Sequence, residues 1–328
     1  AAAAAAKDGE SKGEEAPSDE EMRKVFSRPL LRAMSQEGDL AARLMAWAAA
    51  LRLLAHAPPA LVPRIAAHWK VEMLPPLLHA VVAALPLGAA SVPALAHGGA
   101  AALCAASLSA AGGAAPPAVA DLAACVYLEL LERLPAVVRH WVAHGLPGRA
   151  ASAALLKFTE AHCSPRLLRR EVGAIGAAVG AEGDESFRVR GSAATRQITA
   201  TYTCEGSAMQ IVLTLPPCHP LRAVDVTCAQ RVGVSDAKWR RWQRDISTML
   251  LGQNGTISDA LSLWKQNLDK LFEGVEECPI CYVIVHPATR QLPKLECRTC
   301  AKKFHAACLY KWFNSGQKST CPMCQATF

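Results

Sequence analysis

Between Cys278 and Cys324 the sequence sets out seven cysteines and one histidine as four pairs of one design: Cys278-x2-Cys281, Cys297-x2-Cys300, His305-x2-Cys308 and Cys321-x2-Cys324. A two-residue gap lets a tight turn aim two donor atoms at one ion, and thiolates with an imidazole are the donors of a tetrahedral zinc site. Eight donors therefore imply two zinc ions. The pairs are separated by fifteen, four and twelve residues, and the gap of four makes it awkward for the second and third pairs to share an ion in chain order. Interleaving relieves this. Cys278, Cys281, His305 and Cys308 then hold the first zinc, Cys297, Cys300, Cys321 and Cys324 hold the second, and the short link becomes the strut between them. With four protein donors on each ion no position is open to water or substrate, so both ions are structural.

The charge balance agrees with occupied sites. Seven thiolates and two zinc ions sum to minus three, and residues 278–328 supply seven Lys or Arg against the single acid Glu296. Few other apolar residues remain in this segment, so metal should hold its fold. A cysteine nucleophile with His305 as base would need a free thiol, and the ligand scheme leaves none. A zinc knob without activity stays open. So does a PHD-type, tail-reading finger, which shares the order of donors, although such fingers usually carry an aromatic two positions before the seventh ligand, where this chain has Ser319.

With cysteine fourth and histidine fifth, the spacing over 278–324 resembles the RING family of ubiquitin ligases. The resemblance implies a shallow groove for a ubiquitin-charged conjugating enzyme, with contacts falling on Ile280, Trp312 and Pro322. An exposed Trp beside Ile and Pro is the kind of small apolar anchor that carries binding energy. Trp312 as filler for a domain with little core is the competing reading. Where the family commonly has Arg or Lys directly after its last ligand, bonding both ubiquitin and the conjugating enzyme, this chain has Gln325. Gln donates hydrogen bonds but lacks the charge and the guanidinium fork, so activity should be weaker than typical. The implied mechanism forms no covalent intermediate on this chain and works by holding the thioester in attack-ready geometry.

The fold expected to carry this segment is multidomain: all-α HEAT-like helical repeats, then an α+β domain, then the small two-zinc cross-brace. Residues 1–21 read as a disordered lead-in of Ala, Gly, Glu and Lys, up to a capping box at Ser18-Asp19-Glu20-Glu21 that should start a helix. From 22 to 180 the periodicity is helical. Leu40, Leu44, Ala48 and Leu51 share one face, and Leu128, Leu131, Leu134 and Val138 another. Ser164-Pro165 reads as a further helix start. A HEAT-like stack and a single irregular helical domain both fit. From 185 to 273 the texture changes to four strands, at 186–191, 195–203, 209–215 and 221–228. Two helices follow, capped by Ser235 and Ser258. The zinc segment takes 274–328.

Composition excludes some classes. At 52% apolar residues the chain is not disordered as a whole. No secretory signal opens it, so its 13 cysteines should remain reduced, in cytosol or nucleus. The stretch from Met73 to Ala120 has no Asp, Glu, Lys or Arg, yet its prolines, Gly-Gly pairs and Ala-rich bulk leave no clean membrane span. The opening run of alanines without an initiating Met reads as a fragment of something longer.

The run from Trp264 through Cys278 into "CRTCAKKFHAACLYKWFNSGQKSTCPMC" is similar to the end of the listerin family of RING ligases, and "RLPAVVRHWVAHGLPGR", Arg133 to Arg149, resembles the same family further upstream. Four strands, a Pro216-x3-Pro220 turn and two helices resemble the RWD domain that precedes the RING there, with Leu215 in place of the usual tyrosine. The resemblance implies a cytosolic, ribosome-associated protein that binds the large ribosomal subunit and ubiquitylates stalled nascent chains. It also implies an NEMF-type quality-control factor as partner, engaged mainly through an amino-terminal portion that is missing here. Lys238, Arg240, Arg241 and Arg244, set around Trp239 and Trp242, suit ribosomal RNA, or else form an ordinary solvated face over a buried Trp pair.

Overall fold

Ser18 does open the first helix: its hydroxyl accepts from the Glu21 N–H while the Glu21 carboxylate accepts from the Ser18 N–H. Helix α1 (Asp19–Val25) thus begins inside the segment read as lead-in. The computed structural model describes residues 16–35, 38–96, 118–181, 186–317 and 319–328. The rest of the lead-in and the Ala-rich stretch from 97 to 117 lie outside those residues. The chain divides into two compact units, 1–158 and 159–328.

The first unit is helical among its described residues: α1, α2 (Arg28–Ser35), α3 (Leu40–Leu54), α4 (Val62–Glu72), α5 (Leu74–Ala84), α6 (Pro93–Ala96), α7 (Val119–Arg133), α8 (Pro135–His144) and α9 (Arg149–Phe158). Proline opens α4, α5 and α8, where the first-turn N–H it lacks would have no partner anyway. Within the uncharged stretch, Pro75 lies in the first turn of α5 and Pro93 opens α6. No helix among the described residues is long and apolar enough to cross a membrane. Helix α3 is buried well beyond one stripe, with Leu44, Trp47, Ala48, Leu51 and Leu54 all inside, and it packs on α7. Trp47 meets Trp69 edge-on at 5.1 Å and donates its indole N–H to the Met34 carbonyl. The expected stripe from Leu128 to Val138 spans two helices, because Leu134, with φ −131° and ψ 47°, breaks the run before Pro135 starts α8.

The second unit begins with a π-helical turn, Thr159–Cys163, that leads straight into α10 (Ser164–Ala181). Ser164 is therefore not a cap. Pro165 cannot donate to the helical ladder, and a widened turn beside it is one way a helix absorbs that loss. By packing, helix α10 belongs with the second unit. Its Leu168 and Ile175 belong to the core of the sheet that follows, and its Glu171 pairs with His219 at 3.2 Å.

That sheet is antiparallel in the order β1 (Phe187–Ser192), β2 (Gln197–Cys204), β3 (Ser207–Thr214), β4 (Asp225–Gln230). Alternation points Ile198, Ala200 and Tyr202, then Met209, Ile211 and Leu213, at helices α11 (Asp236–Gly252) and α12 (Ile257–Phe272). Trp242, Ile246, Leu261, Trp264 and Leu268 meet them there. The fourth strand starts at 225 rather than 221, after a Pro216–Pro220 turn that contains a cis His219-Pro220 bond. Ser235 caps α11, accepting from the Lys238 N–H. Helix α12 is capped by Thr256 and not Ser258: Thr256 and Asp259 form a reciprocal capping box, which leaves Ser258 inside the first turn.

The zinc segment packs on the sheet: Val285 and Leu292 are buried in the sheet's own core. Gly233 permits this at one point: its φ is +68°, its N–H donates to the Arg290 carbonyl, and a Cβ there would lie 2.6 Å from Leu292. The zinc segment adds a short hairpin, β5 (Leu295–Glu296) with β6 (Lys303–Phe304), and helix α13 (Ala306–Gly316).

Candidate metal centres

Three of the four donor pairs share one backbone turn. In each, the first cysteine's carbonyl accepts from the residue after the second cysteine: Tyr282 at 2.8 Å, Ala301 at 2.9 Å and Gln325 at 3.0 Å. Those three residues have φ of 58°, 56° and 60°, a left-handed conformation that curls the chain around the two sulfurs. The first cysteine's own N–H donates to the Val283, Lys302 or Ala326 carbonyl. The fourth pair is built differently. His305 stands at the N-cap of α13 and Cys308 lies in its first turn, so a helix start aims both donors.

These turns bring together the two interleaved sets. The donor atoms of Cys278, Cys281, His305 and Cys308 lie within 4.8 Å of one another, as do those of Cys297, Cys300, Cys321 and Cys324. In the second set the sulfurs of Cys297 and Cys324, and of Cys300 and Cys321, are 3.7 Å apart. That is too long for a disulfide, at about 2.05 Å. It matches the edge of about 3.8 Å in a tetrahedron with metal–sulfur bonds of about 2.3 Å. In the first set His305 Nδ1 lies 3.3 Å from the Cys281 sulfur and 3.9 Å from that of Cys308. An N–S edge around the same kind of ion is about 3.6 Å. The residues fit a tetrahedral ion in both places.

Hydrogen bonding selects the ligand atom of His305. Its Nε2 lies 2.9 Å from the Ile284 carbonyl, which can only accept, so Nε2 carries the proton and Nδ1 presents its lone pair to the sulfurs. The thiols also need a cation. Burial pushes Cys308 up to about 12, with Cys281 and Cys278 beside it adding to the effect. The Cys300 and Thr299 N–H groups pull Cys297 down to about 6. A dication makes the thiolate favourable in both.

The first centre is fastened to the sheet by contacts that the sequence did not announce. Glu205, in the β2–β3 turn, accepts from the Ile284 N–H at 2.7 Å, so the peptide whose carbonyl orients His305 is followed back to the sheet within one residue. Arg290 donates to the Ser207 hydroxyl at 3.3 Å. Val285 and Leu292 supply the apolar part of the joint. Alternation could have flagged Val285 as an inward residue. Nothing in the spacing marks Glu205.

The remaining residues singled out from sequence are placed as follows. Trp312, on α13, is 43% exposed and donates its indole N–H to the Thr320 carbonyl, just before the last donor pair. Ile280 and Pro322, each between the cysteines of its turn, are partly exposed, and Gln325 is exposed. Lys238, Arg240, Arg241 and Arg244 line the solvent side of α11. Trp242 is buried, Trp239 packs against the core, and Lys238 lies 5.3 Å over the Trp242 ring. That face offers charge without an open aromatic platform.

Two interleaved four-donor sets, three like turns, a short hairpin and one helix form a RING-type cross-brace, set after helical-repeat and α+β parts. Comparison with known proteins agrees with that division. Residues 11–175 match the model of the LTN1 family HEAT repeat region, and residues 187–271 match the ubiquitin conjugating domain-like family. The chain is 41% identical over 210 residues to a protein of Xenopus tropicalis, 43% over 203 to one of Drosophila melanogaster and 36% over 172 to one of Saccharomyces cerevisiae, each named E3 ubiquitin-protein ligase listerin. These alignments cover 64%, 62% and 52% of this chain. They span only 12%, 11% and 11% of the relatives. The chain belongs to the LTN1 family.

Proposed function

We propose that this chain is the catalytic end of a RING-type E3 ubiquitin ligase, with two structural zinc ions, acting on nascent chains stalled on the large ribosomal subunit. The observation that carries the reading is the half-exposed Trp312, tied by its N–H to the Thr320 carbonyl in the segment leading into the last donor pair. A ubiquitin-charged conjugating enzyme docks there, on Ile280, Trp312 and Pro322. Gln325, exposed directly after the last donor, is the residue assigned to donate to both ubiquitin and the enzyme. The chain's work is to restrict the thioester to geometries open to a lysine amine, with no bond formed to its own residues. The zinc ions supply rigidity and no chemistry.

The ubiquitin conjugating domain-like region serves as scaffold in this reading. A conjugating enzyme carries ubiquitin on an accessible thiol that reacts as thiolate. Burial raises Cys204 and Cys218, and pushes Cys228 up to about 11. The Lys238, Arg240, Arg241 and Arg244 face suits the phosphates of ribosomal RNA, without base stacking, since both Trp rings are packed inward. Membership of the family supports a cytosolic, ribosome-associated location and an NEMF-type partner.

Gln325 favours one second reading, a zinc-containing interaction module, PHD-like or ribosome-binding, without transfer activity. Lysine discharge from a ubiquitin-charged conjugating enzyme separates the two. The zinc-loaded chain should accelerate discharge and Trp312→Ala should abolish the effect. No acceleration across a panel of conjugating enzymes, by folded and metal-loaded protein, leaves the interaction module.

A further inference from the structure

The first unit holds a groove that the ligase reading does not use. It lies between α4, α5 and α8 and encloses a cavity of about 380 Å³, within the range of roughly 300–1,000 Å³ that ligand sites occupy. Its floor is Leu74, Leu78, Val137 and Trp141, all buried. Val71 stands at the rim with 77% of its surface exposed, the most open of the large apolar residues described.

The charged and titratable groups around this floor are all bases: Lys70 from α4, His79 from α5, and His140 and His144 from α8. No carboxylate lines the groove among the described residues. The bases crowd one another. The His140 and His144 rings are 4.6 Å apart, and His79 stands edge-on to Trp141 at 5.0 Å. The charge of Lys70, then desolvation and His144, hold His140 below the usual imidazole range. A rim of mutually repelling bases around an apolar floor lacks its counter-charge.

We infer that this groove docks an acidic amphipathic helix of a partner protein, with aliphatic side chains on the Leu74, Leu78 and Trp141 floor and carboxylates against Lys70, His140 and His144. The geometry selects this class. A nucleic acid would leave the apolar floor unpaired, and a membrane surface calls for a convex apolar face rather than a concave one. Apolar anchors one turn apart with flanking charge are the usual terms of helix-in-groove recognition. A carboxylate bound beside His140 opposes the Lys70 charge that lowers its pKa, so binding takes up a proton there and tightens as pH falls from about 7.5 to 6. The inference is independent of ligase activity.

The test is fluorescence anisotropy with the whole zinc-loaded chain at physiological salt. The probe is a labelled, capped helical peptide with Leu at i, i+3, i+4 and i+7 and Glu at the flanks. Its control carries Lys in place of Glu. The Glu peptide should bind, several-fold tighter at pH 6 than at pH 7.5, and the Lys peptide should not. Val71→Asp and Lys70→Glu alter exposed positions and so leave the fold intact; each should lower affinity at least tenfold, whereas Arg240→Glu with Arg241→Glu should leave it unchanged. Three results would overturn the inference: no binding, equal binding of both peptides, or binding that survives Val71→Asp and is lost with the two α11 arginines.

Discussion

The two metal centres use nearly the same donors but stand in different company. The first, with His305, is joined to the sheet by Glu205 at 2.7 Å from the Ile284 N–H, by Arg290 on Ser207, and by Val285 and Leu292 in the sheet's core. The second rests mainly on material of its own segment. Phe328 packs on Phe304 and Phe313 at 6.0 and 5.7 Å, Thr320 bridges to Thr327, and Cys324 is exposed. The difference teaches what each centre is for. The first carries Ile280 and fixes the cross-brace to a rigid body, while the second carries Pro322 and Gln325 and reaches outward.

Removing both metals gives the largest expected effect. Structural zinc contributes on the order of 10–16 kcal/mol of folding free energy in small domains, so a strong chelator should melt residues 278–328. The helices of the first unit should survive. Limited proteolysis before and after chelation reads this directly, and loss of the first unit as well would break the comparison. Next in size is Cys308→Ala against Cys324→Ala. Losing the first centre frees Val285 and Leu292 from the sheet core, and each buried aliphatic is worth about 1.5–3 kcal/mol. Calorimetry should show the sheet's transition lowered in Cys308→Ala and nearly unmoved in Cys324→Ala.

Smaller still is Glu205→Leu, which removes the acceptor behind Ile284. Outer partners of this kind are worth about 10- to 100-fold in metal affinity, and the low end is expected, because Glu205 acts through a peptide. Glu205→Gln keeps an acceptor oxygen and should restore most of the loss in a competitive chelator titration. Least disruptive is Gln325→Arg. It should raise lysine discharge several-fold while leaving metal retention at both centres unchanged, because the residue is exposed and only its backbone serves the turn.

Much of this was legible in the sequence because donor spacing is a local property. Four two-residue gaps and one short link specify the interleaved sets. Ser18 and Ser235 were legible as caps for the same reason. Thr256 was passed over for Ser258, since both lie at the mouth of a helix and only the reciprocal bond with Asp259 decides between them. Ser164-Pro165 imitates a helix start and is the exit of a π turn. The packing between segments is less legible for a different reason. Leu168 of α10 and Leu292 of the zinc segment are ordinary apolar residues in sequence, and only the folded core shows that both belong to the sheet. Glu205, an exposed acid in a turn, has no sequence signature at all.

The most direct test is the order in which the two centres lose metal. Native mass spectrometry of the zinc-loaded chain during a chelator titration, with alkylation of freed thiols, reports both the count and the site. The account predicts two zinc ions per chain, then a one-zinc species in which Cys321 and Cys324 are alkylated while Cys278 and Cys281 are still protected. Loss of both ions in a single step, or alkylation of Cys278 and Cys281 first, would contradict it.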